Sequence, residues 1–311
     1  MATYLVTGGG GFIGCNIVRE LLARGESVRV LDNFSTGRRE NLEQVSDRIE
    51  LCEADIRDAD AIRPAFEGVD YVLHQAALPS VPRSVRDPVA STQANVNGTL
   101  HVLLAARDAG VKRIAMASSS SVYGANPQLP KCEAMRPMPI SPYAATKLAN
   151  EAYAASFTHV YGLETVCLRY FNVFGPRQDP SSQYAAVIPL FVNAMLRGDR
   201  PTIFGDGEQS RDFTFVDNVI HANLRAVAAC GGPTGAFNVA CGERVSLNQL
   251  VEYLNEIIGC AIEPVYTDER AGDVKHSLAD ISGAQQAFGY EPQVGFREGL
   301  ERVVEFYRAQ G

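Results

Sequence analysis

Tyr4-Leu5-Val6-Thr7-Gly8-Gly9-Gly10-Gly11-Phe12-Ile13-Gly14 runs a short apolar segment straight into a glycine-rich turn. Ile13, Ile17 and Leu21 then recur at helical spacing up to Arg24, and Gly25 supplies a stop. Strand, glycine turn and helix N-terminus in that order let the backbone approach a pyrophosphate. Its charge is stabilised there by unpaired N–H groups and the helix dipole. Gly8, Gly11 and Gly14 carry the spacing G-x-x-G-x-x-G.

Ser27-Val28-Arg29-Val30-Leu31 is a second strand, and Asp32 stands at its end, about 20 residues after the glycines as a dinucleotide fingerprint requires. A carboxylate there accepts hydrogen bonds from ribose hydroxyls and repels a 2′-phosphate, which favours NAD over NADP. Arg38 and Arg39 lie close by, and an arginine so placed is how a 2′-phosphate is accommodated.

The alternation continues down the chain. Ile49 to Glu53 reads as a strand leading to Asp55-Ile56, Asp60 to Phe66 as a helix, and Val69 to His74 as a strand entering Gln75-Ala76-Ala77. One long helix is expected from Pro88 to Ala109, then a strand from Arg113 to Ala117 that delivers Ser118-Ser119-Ser120-Ser121. Ser141 is a good N-cap and Pro142 fits the first helical position, so a helix should run to about Tyr161. Thr165 to Tyr170 is the next strand. This is the pattern of a doubly wound parallel-sheet (Rossmann) α/β fold, with ligands at the carboxyl ends of the strands. Gly8, Asp32, Asp55, Ala76 and Ser118 all fall at such ends. From residue 171 onward, turn-rich stretches interrupt shorter elements. We therefore expect an NAD-binding domain over 1–170 and a smaller C-terminal α/β portion over 171–311, interleaved with the first.

Tyr143 and Lys147 fall one turn apart on one helix face. A neighbouring ammonium lowers a phenol's pKa, so with a serine hydroxyl the pair would form a proton-transfer site. With 12 Tyr and four Lys in 311 residues, about 0.15 Tyr-x-x-x-Lys matches arise by chance. By itself the pair also fits an ordinary amphipathic helix.

Bulk properties narrow the partners. A formal net charge of −8 argues against nucleic acid or an anionic membrane. Seven scattered Cys without a Cys-x-x-Cys read as free thiols of a reducing compartment, and the His and Cys show no metal-ligand spacing. With no signal-peptide pattern and no apolar run of about 18 residues, the expected location is cytoplasmic.

The chain resembles the extended short-chain dehydrogenase/reductase family, and within it the NAD-dependent nucleotide-sugar 4-epimerases. The resemblance rests on Thr7–Gly14, Asp32–Gly37, Asp55-Ile56, His74–Ala77, Asn95–Thr99, Ser118–Gly124, Tyr143–Lys147, Leu168–Gly175 and Gly205–Asp217. It implies that Tyr143 is the base on the sugar 4-hydroxyl, that Lys147 lowers its pKa and binds the nicotinamide ribose, and that Ser119 bonds the same sugar oxygen. Hydride passes from C4 to NAD and returns on the opposite face of a 4-keto sugar. The cofactor set implied is Gly8, Gly11, Phe12, Ile13, Gly14, Asp32, Asn33, Ser35, Thr36, Gly37, Asp55, Ile56, Gln75, Ala76, Ala77, Tyr143, Lys147, Tyr170 and Val173. Related 4,6-dehydratases carry acids at the positions of Ser120 and Ser121, where this chain has hydroxyls.

The stretches Tyr184–Pro189 and Arg270–Asp280 look like the UDP-N-acetylhexosamine 4-epimerases in particular. The substrate set implied is Ser80, Ser119, Ser120, Tyr143, Asn172, Ala186, Val187, Arg211, Arg270, Asp273 and Ser277. Arg211 and Arg270 would hold the diphosphate, although surface salt bridges explain such arginines equally well. Ser277 matches a wall position where a tyrosine marks epimerases restricted to non-acetylated sugars, so a small side chain leaves room for an acetamido group. The chain departs from the acetyl-preferring pattern at Pro79, Leu190 and Phe191. A UDP-glucose 4-epimerase, a one-way NAD(P)-dependent oxidoreductase and an idle nucleotide-binding protein remain the alternatives. The helices near Pro88–Ala109 and Pro142–Tyr161 resemble those that pair in the family's homodimers, while intramolecular packing accounts for their alanines equally well.

Overall fold

The computed structural model describes residues 1–180, 186–269 and 275–310. Seven strands form one parallel sheet: β1 (Thr3–Thr7), β2 (Ser27–Asp32), β3 (Glu50–Glu53), β4 (Tyr71–His74), β5 (Arg113–Ser119), β6 (Glu164–Tyr170) and β7 (Gly235–Val239). Their spatial order is β7-β6-β5-β4-β1-β2-β3, so the sequence direction reverses between β1 and β4. This is the Rossmann arrangement, and its switch point opens a crevice beyond the carboxyl ends of β1 and β4.

Alternation along each strand separates two cores. Val6, Val30, Leu73, Ala115, Val166 and Leu168 face one side, while Leu5, Leu31, Val72, Ile114, Met116 and Cys167 face the other. The first side is covered by the Phe12–Ala23 helix and by helices from beyond residue 186, including Val216–Ala228 and Phe296–Arg308. The second is covered by the Gly98–Asp108 and Pro142–Tyr161 helices. Both faces being buried explains why the strands are nearly continuous apolar runs.

Several elements differ from the sequence expectation. The Pro88–Ala109 helix is three segments, Pro88–Thr92, a π-helical turn Gln93–Asn97, and Gly98–Asp108. At the wide turn Asn95 points inward: its Oδ1 accepts from Leu78 N at 2.7 Å, and its Nδ2 donates to Leu78 O at 3.1 Å and to Thr146 Oγ1 at 3.2 Å. The Asp60–Phe66 helix tightens into a 3-10 turn at Arg63–Phe66, where Pro64 withholds an N–H. β4 begins at Tyr71 rather than Val69, because the Val69 amide closes a turn onto Phe66 O. β5 runs on to Ser119, so Ser118 and Ser119 lie within the strand, opposite Arg169 and Tyr170. Ser120–Tyr123 then turns as a 3-10 helix. The short helix Val81–Arg86 was not expected from the sequence; its two valines, four residues apart, are both exposed and bury no apolar face.

Candidate active site

The glycine turn is shaped by contacts that exclude a side chain. Gly8 has φ +70°, and a Cβ on it would lie 2.7 Å from Ala76 N. At Gly14 a Cβ would meet Gly8 O at 2.1 Å. Gly11 precedes the Phe12–Ala23 helix without a side-chain cap, which leaves the first-turn amides to an anion. Asp32 is buried, and its two oxygens accept from Gly10 N at 2.8 Å and Phe34 N at 2.7 Å. Burial pushes its pKa up while these amides pull it down. The carboxylate therefore organises the glycine turn, a duty the sequence did not reveal. Each oxygen retains a further lone pair for a hydroxyl.

Gly37 packs on Gly10 and Asp32 Oδ2, while Ser35 and Thr36 are exposed on the same loop. Asn33 Nδ2 donates to Asp55 Oδ2 at 2.7 Å. Arg57 grips Asp55 with both its backbone and its guanidinium, holding the carboxyl down at about 2. Ile56 is buried in the core under Gly98. The two arginines that kept NADP open are turned toward acids, Arg38 to Asp179 at 2.7 Å and Arg39 to Glu53 at 2.6 Å. A cradle without room for side chains, a carboxylate at the end of β2 and acid-paired arginines all fit NAD.

At the switch point, His74 is sandwiched between Thr7 Oγ1 at 2.6 Å and Thr99 Oγ1 at 3.0 Å, and Asn150 Nδ2 donates to Thr99 Oγ1. Burial, helped by repulsion from Lys147, pulls the His74 pKa down to about 3, so it is a neutral strut. Ala76 N donates to Thr7 Oγ1 at 3.3 Å, which fixes the turn entering Ala77. Gln75, Tyr170 and Asn223 bond one another, Tyr170 donating to Gln75 Oε1 at 3.1 Å and accepting from Asn223 Nδ2 at 2.8 Å. Neither His74 nor Asn223 was assigned a role from the sequence, since one buried polar residue in an apolar run carries no periodic signal.

The Pro142–Tyr161 helix starts with the Ser141 cap, its hydroxyl accepting from Ala144 N at 3.2 Å, and ends at left-handed Gly162. Ser84 accepts from Tyr143 N at 3.0 Å, tying the helix start to Val81–Arg86. Tyr143 and Ser119 come together, and the Ser119 hydroxyl lowers the phenol's pKa. Burial is the larger effect and pushes Tyr143 up to about 12, the reverse of the direction expected from Lys147. Lys147 Nζ donates instead to Ala117 O at 2.7 Å and stands 5.9 Å from the Tyr143 ring centroid. Burial pulls Lys147 itself down to about 8. The phenol therefore rests protonated, with a hydroxyl and an ammonium of lowered pKa around it.

The opposite wall comes from the later part of the chain. Asn172, at φ +34°, donates through Nδ2 to Asp212 O at 3.2 Å. Val173 pairs with Thr214. Arg211 Nη1 donates to the carbonyls of Ser210 and Lys275, each at 3.1 Å, and Ser277 N donates to Ser210 O at 3.0 Å. Arg211 and Ser277 are thus on adjoining segments. Asp212 beneath them is fully buried and accepts from the amides of Cys241, Gly242 and Ala279; burial raises its pKa to about 6. Ser80, at φ +97°, caps Val81–Arg86 by accepting from Arg83 N, and Ser120 opens the 3-10 turn. Ala186 and Val187 begin the Val187–Leu196 helix. Arg270 and Asp273 lie outside the described residues.

The model of the NAD dependent epimerase/dehydratase family matches residues 4–240. A UDP-glucose 4-epimerase of Mycolicibacterium smegmatis is 42% identical over 311 residues, covering 98% of each chain. Among solved structures, the UDP-N-acetylglucosamine 4-epimerase of Methanobrevibacter ruminantium in complex with UDP-N-acetylmuramic acid superposes with a TM-score of 0.95 at 42% identity. It covers 100% of this chain and 99% of that one. The Thermus thermophilus UDP-glucose 4-epimerase complex with NAD gives 0.89 at 37% identity, with 99% and 100% coverage.

Proposed function

The chain belongs to the NAD dependent epimerase/dehydratase family and acts as an NAD-dependent UDP-hexose 4-epimerase, and we propose that its preferred pair is UDP-GlcNAc and UDP-GalNAc, with UDP-glucose and UDP-galactose as a second pair. NAD, when bound, supplies a reversible hydride acceptor for the sugar's C4. The residues proposed to hold it are the amides from Gly11 to Gly14 over Gly8, the Asp32 carboxylate, the Asn33, Ser35, Thr36 and Gly37 loop, Asp55 and Ile56, the Gln75–Ala77 turn, and Tyr170 and Val173.

In this reading Tyr143 exchanges a proton with the sugar O4, and Ser119 hydrogen-bonds the same oxygen. Base catalysis of this kind contributes about 10²–10⁴-fold. Lys147, fixed on Ala117 O, places its charge beside the phenol and the ribose. Arg211 holds the diphosphate from the later part of the chain, with Asn172, Ser80, Ser120, Ala186 and Val187 lining the substrate. We assign residues 171–311 to this nucleotide-sugar portion, interleaved with the first: the Val216–Ala228 helix covers the seven-stranded sheet and β7 is one of its strands.

The observation that carries the substrate preference is Ser277, a small residue anchored through its amide beside Arg211. The similarity to a UDP-N-acetylglucosamine 4-epimerase supports it. The equal identity to a UDP-glucose 4-epimerase favours the second reading, in which the acetylated sugars turn over poorly. Comparing kcat/KM for the two pairs decides between them: the proposal requires the acetylated pair to be at least as good.

No helix among the described residues is long and apolar enough to cross a membrane. We place the protein in the cytoplasm, as a homodimer through the exposed Val89, Tyr153, Val160 and Tyr161 faces of the two long helical segments.

A further inference from the structure

A continuous buried polar chain runs from the catalytic strand to the far wall of the site. Ser118 Oγ donates to Glu151 Oε1 at 2.5 Å. Arg169 grips Glu151 with two bonds of 2.9 and 2.7 Å, both side chains being under a tenth exposed. Arg169 Nη1 then donates to Tyr123 OH at 2.9 Å, and Tyr123 OH donates to Asn238 Oδ1 at 2.7 Å. Asn238, wholly buried in β7, passes its Nδ2 to Lys131 O and Asp280 O at 2.8 and 2.9 Å. Lys131 in turn pairs by backbone with Leu278 and Asp280. The chain thus ends within a few residues of Ser277.

Tyr123 is the middle link, and its place in the turn gives it a lever on catalysis. It closes the 3-10 turn Ser120–Tyr123, whose cap is Ser119: the Ser119 hydroxyl accepts from Ser121 N at 3.2 Å. Fixing the Tyr123 hydroxyl between a guanidinium and an amide therefore fixes the turn, and the turn fixes the direction of Ser119 Oγ. Burial raises the Tyr123 pKa to about 12, so the hydroxyl stays a donor across the working pH range. Every polar group along the chain from Ser118 to Asn238 has a partner, which is the condition under which a buried network rigidifies its surroundings.

We propose that Tyr123 is a positioning residue that aims Ser119 at the reacting sugar oxygen and ties that aim, through Asn238, to the wall carrying Ser277. The inference rests on the epimerase reading of Ser119 and Tyr143.

The test is a double-mutant cycle with Tyr123→Phe and Ser119→Ala. Tyr123→Phe alone is expected to lower kcat by about 10- to 100-fold, the scale of a small misplacement of a catalytic group. KM for the UDP-sugar should stay within about twofold, since Arg211 and its neighbours are untouched. Because the Ser119 hydroxyl lowers the Tyr143 pKa, losing its aim should also move the rise of kcat with pH to higher pH. In the Ser119→Ala background, Tyr123→Phe should cost nothing more. Additive losses, an unshifted pH profile, or an effect confined to KM would overturn the proposal. Should Tyr123→Phe fail to fold, Arg169→Lys replaces it in the cycle with the same expectations, since it keeps a cation beside Glu151 while its single nitrogen cannot reproduce the fork that holds Glu151 and Tyr123 from three guanidinium nitrogens. A fully active Ser119→Ala single variant would instead contradict the epimerase reading, and the role of Tyr123 with it.

Discussion

A phenol raised to about 12 by burial does not lose its proton to water at neutral pH, so Tyr143 depends on the groups around it. Ser119 pulls its pKa down, and Lys147 stands by with its ammonium tied to Ala117 O. Tyr143→Phe removes the exchangeable proton and leaves the ring, so kcat should fall by about 10²–10⁴-fold while bound NAD is retained. Steady-state rates together with NAD released on denaturation measure both. Ser277→Tyr should remove turnover of UDP-GlcNAc and UDP-GalNAc and spare UDP-glucose. Equal loss on both pairs would refute the gatekeeper role. His74 gives a stability prediction. Its folded pKa of about 3 lies below the ordinary 6.5, so the unfolded chain binds a proton the native protein refuses. Its contribution is complete above pH 6.5 and is lost as pH falls toward 3, at up to about 1.4 kcal/mol per pH unit. Urea unfolding at neutral and mildly acid pH should show this decline in the wild type and a flatter one in His74→Gln.

At the scale of elements, the glycine turn and its helix work as one unit. A methyl group at Gly14 would overlap Gly8 O, so Gly14→Ala must displace either the turn or the helix start. The expected result is loss of retained NAD, with destabilisation of about 2 kcal/mol or more, read by thermal unfolding and cofactor content. The start of the Pro142–Tyr161 helix was legible, since Ser141 and Pro142 are local signals, and its end was read to about Tyr161, where left-handed Gly162 closes it. The π-helical turn at Gln93–Asn97 was not, because its cause is the pull of Asn95 toward Leu78 and Thr146, contacts made only after folding. The same holds for the two-residue ladders beyond Phe171, too short to show a period. Ser119, Tyr143 and Lys147 were visible as a pattern of residue types. The balance of burial against charge that sets the Tyr143 pKa needs the packed surroundings. Asp32 was read as a ribose ligand, yet its hold on Gly10 and Phe34 appears only once the turn is closed.

At the scale of the molecule, the order of strands does what no single residue can. The reversal between β1 and β4 opens the crevice, the carboxyl ends of β1, β2, β4, β5 and β6 deliver Gly8, Asp32, Gln75, Ser119 and Tyr170 to its rim, and β7 brings the later chain back to the sheet. The same architecture leaves Tyr153, Val160 and Tyr161 exposed on the second face. If that face pairs two copies, Tyr153→Glu should convert a dimer to a monomer by light scattering, and a wild type that is already monomeric would refute the contact. In the proposed cycle the hydride leaves C4 and returns to it without leaving the protein. The test is UDP-glucose deuterated at C4, incubated with the purified protein and no added cofactor. The expected product is UDP-galactose that keeps its deuterium at C4, with no accumulation of NADH. Deuterium lost from the product, or NADH formed in proportion to sugar consumed, would contradict it.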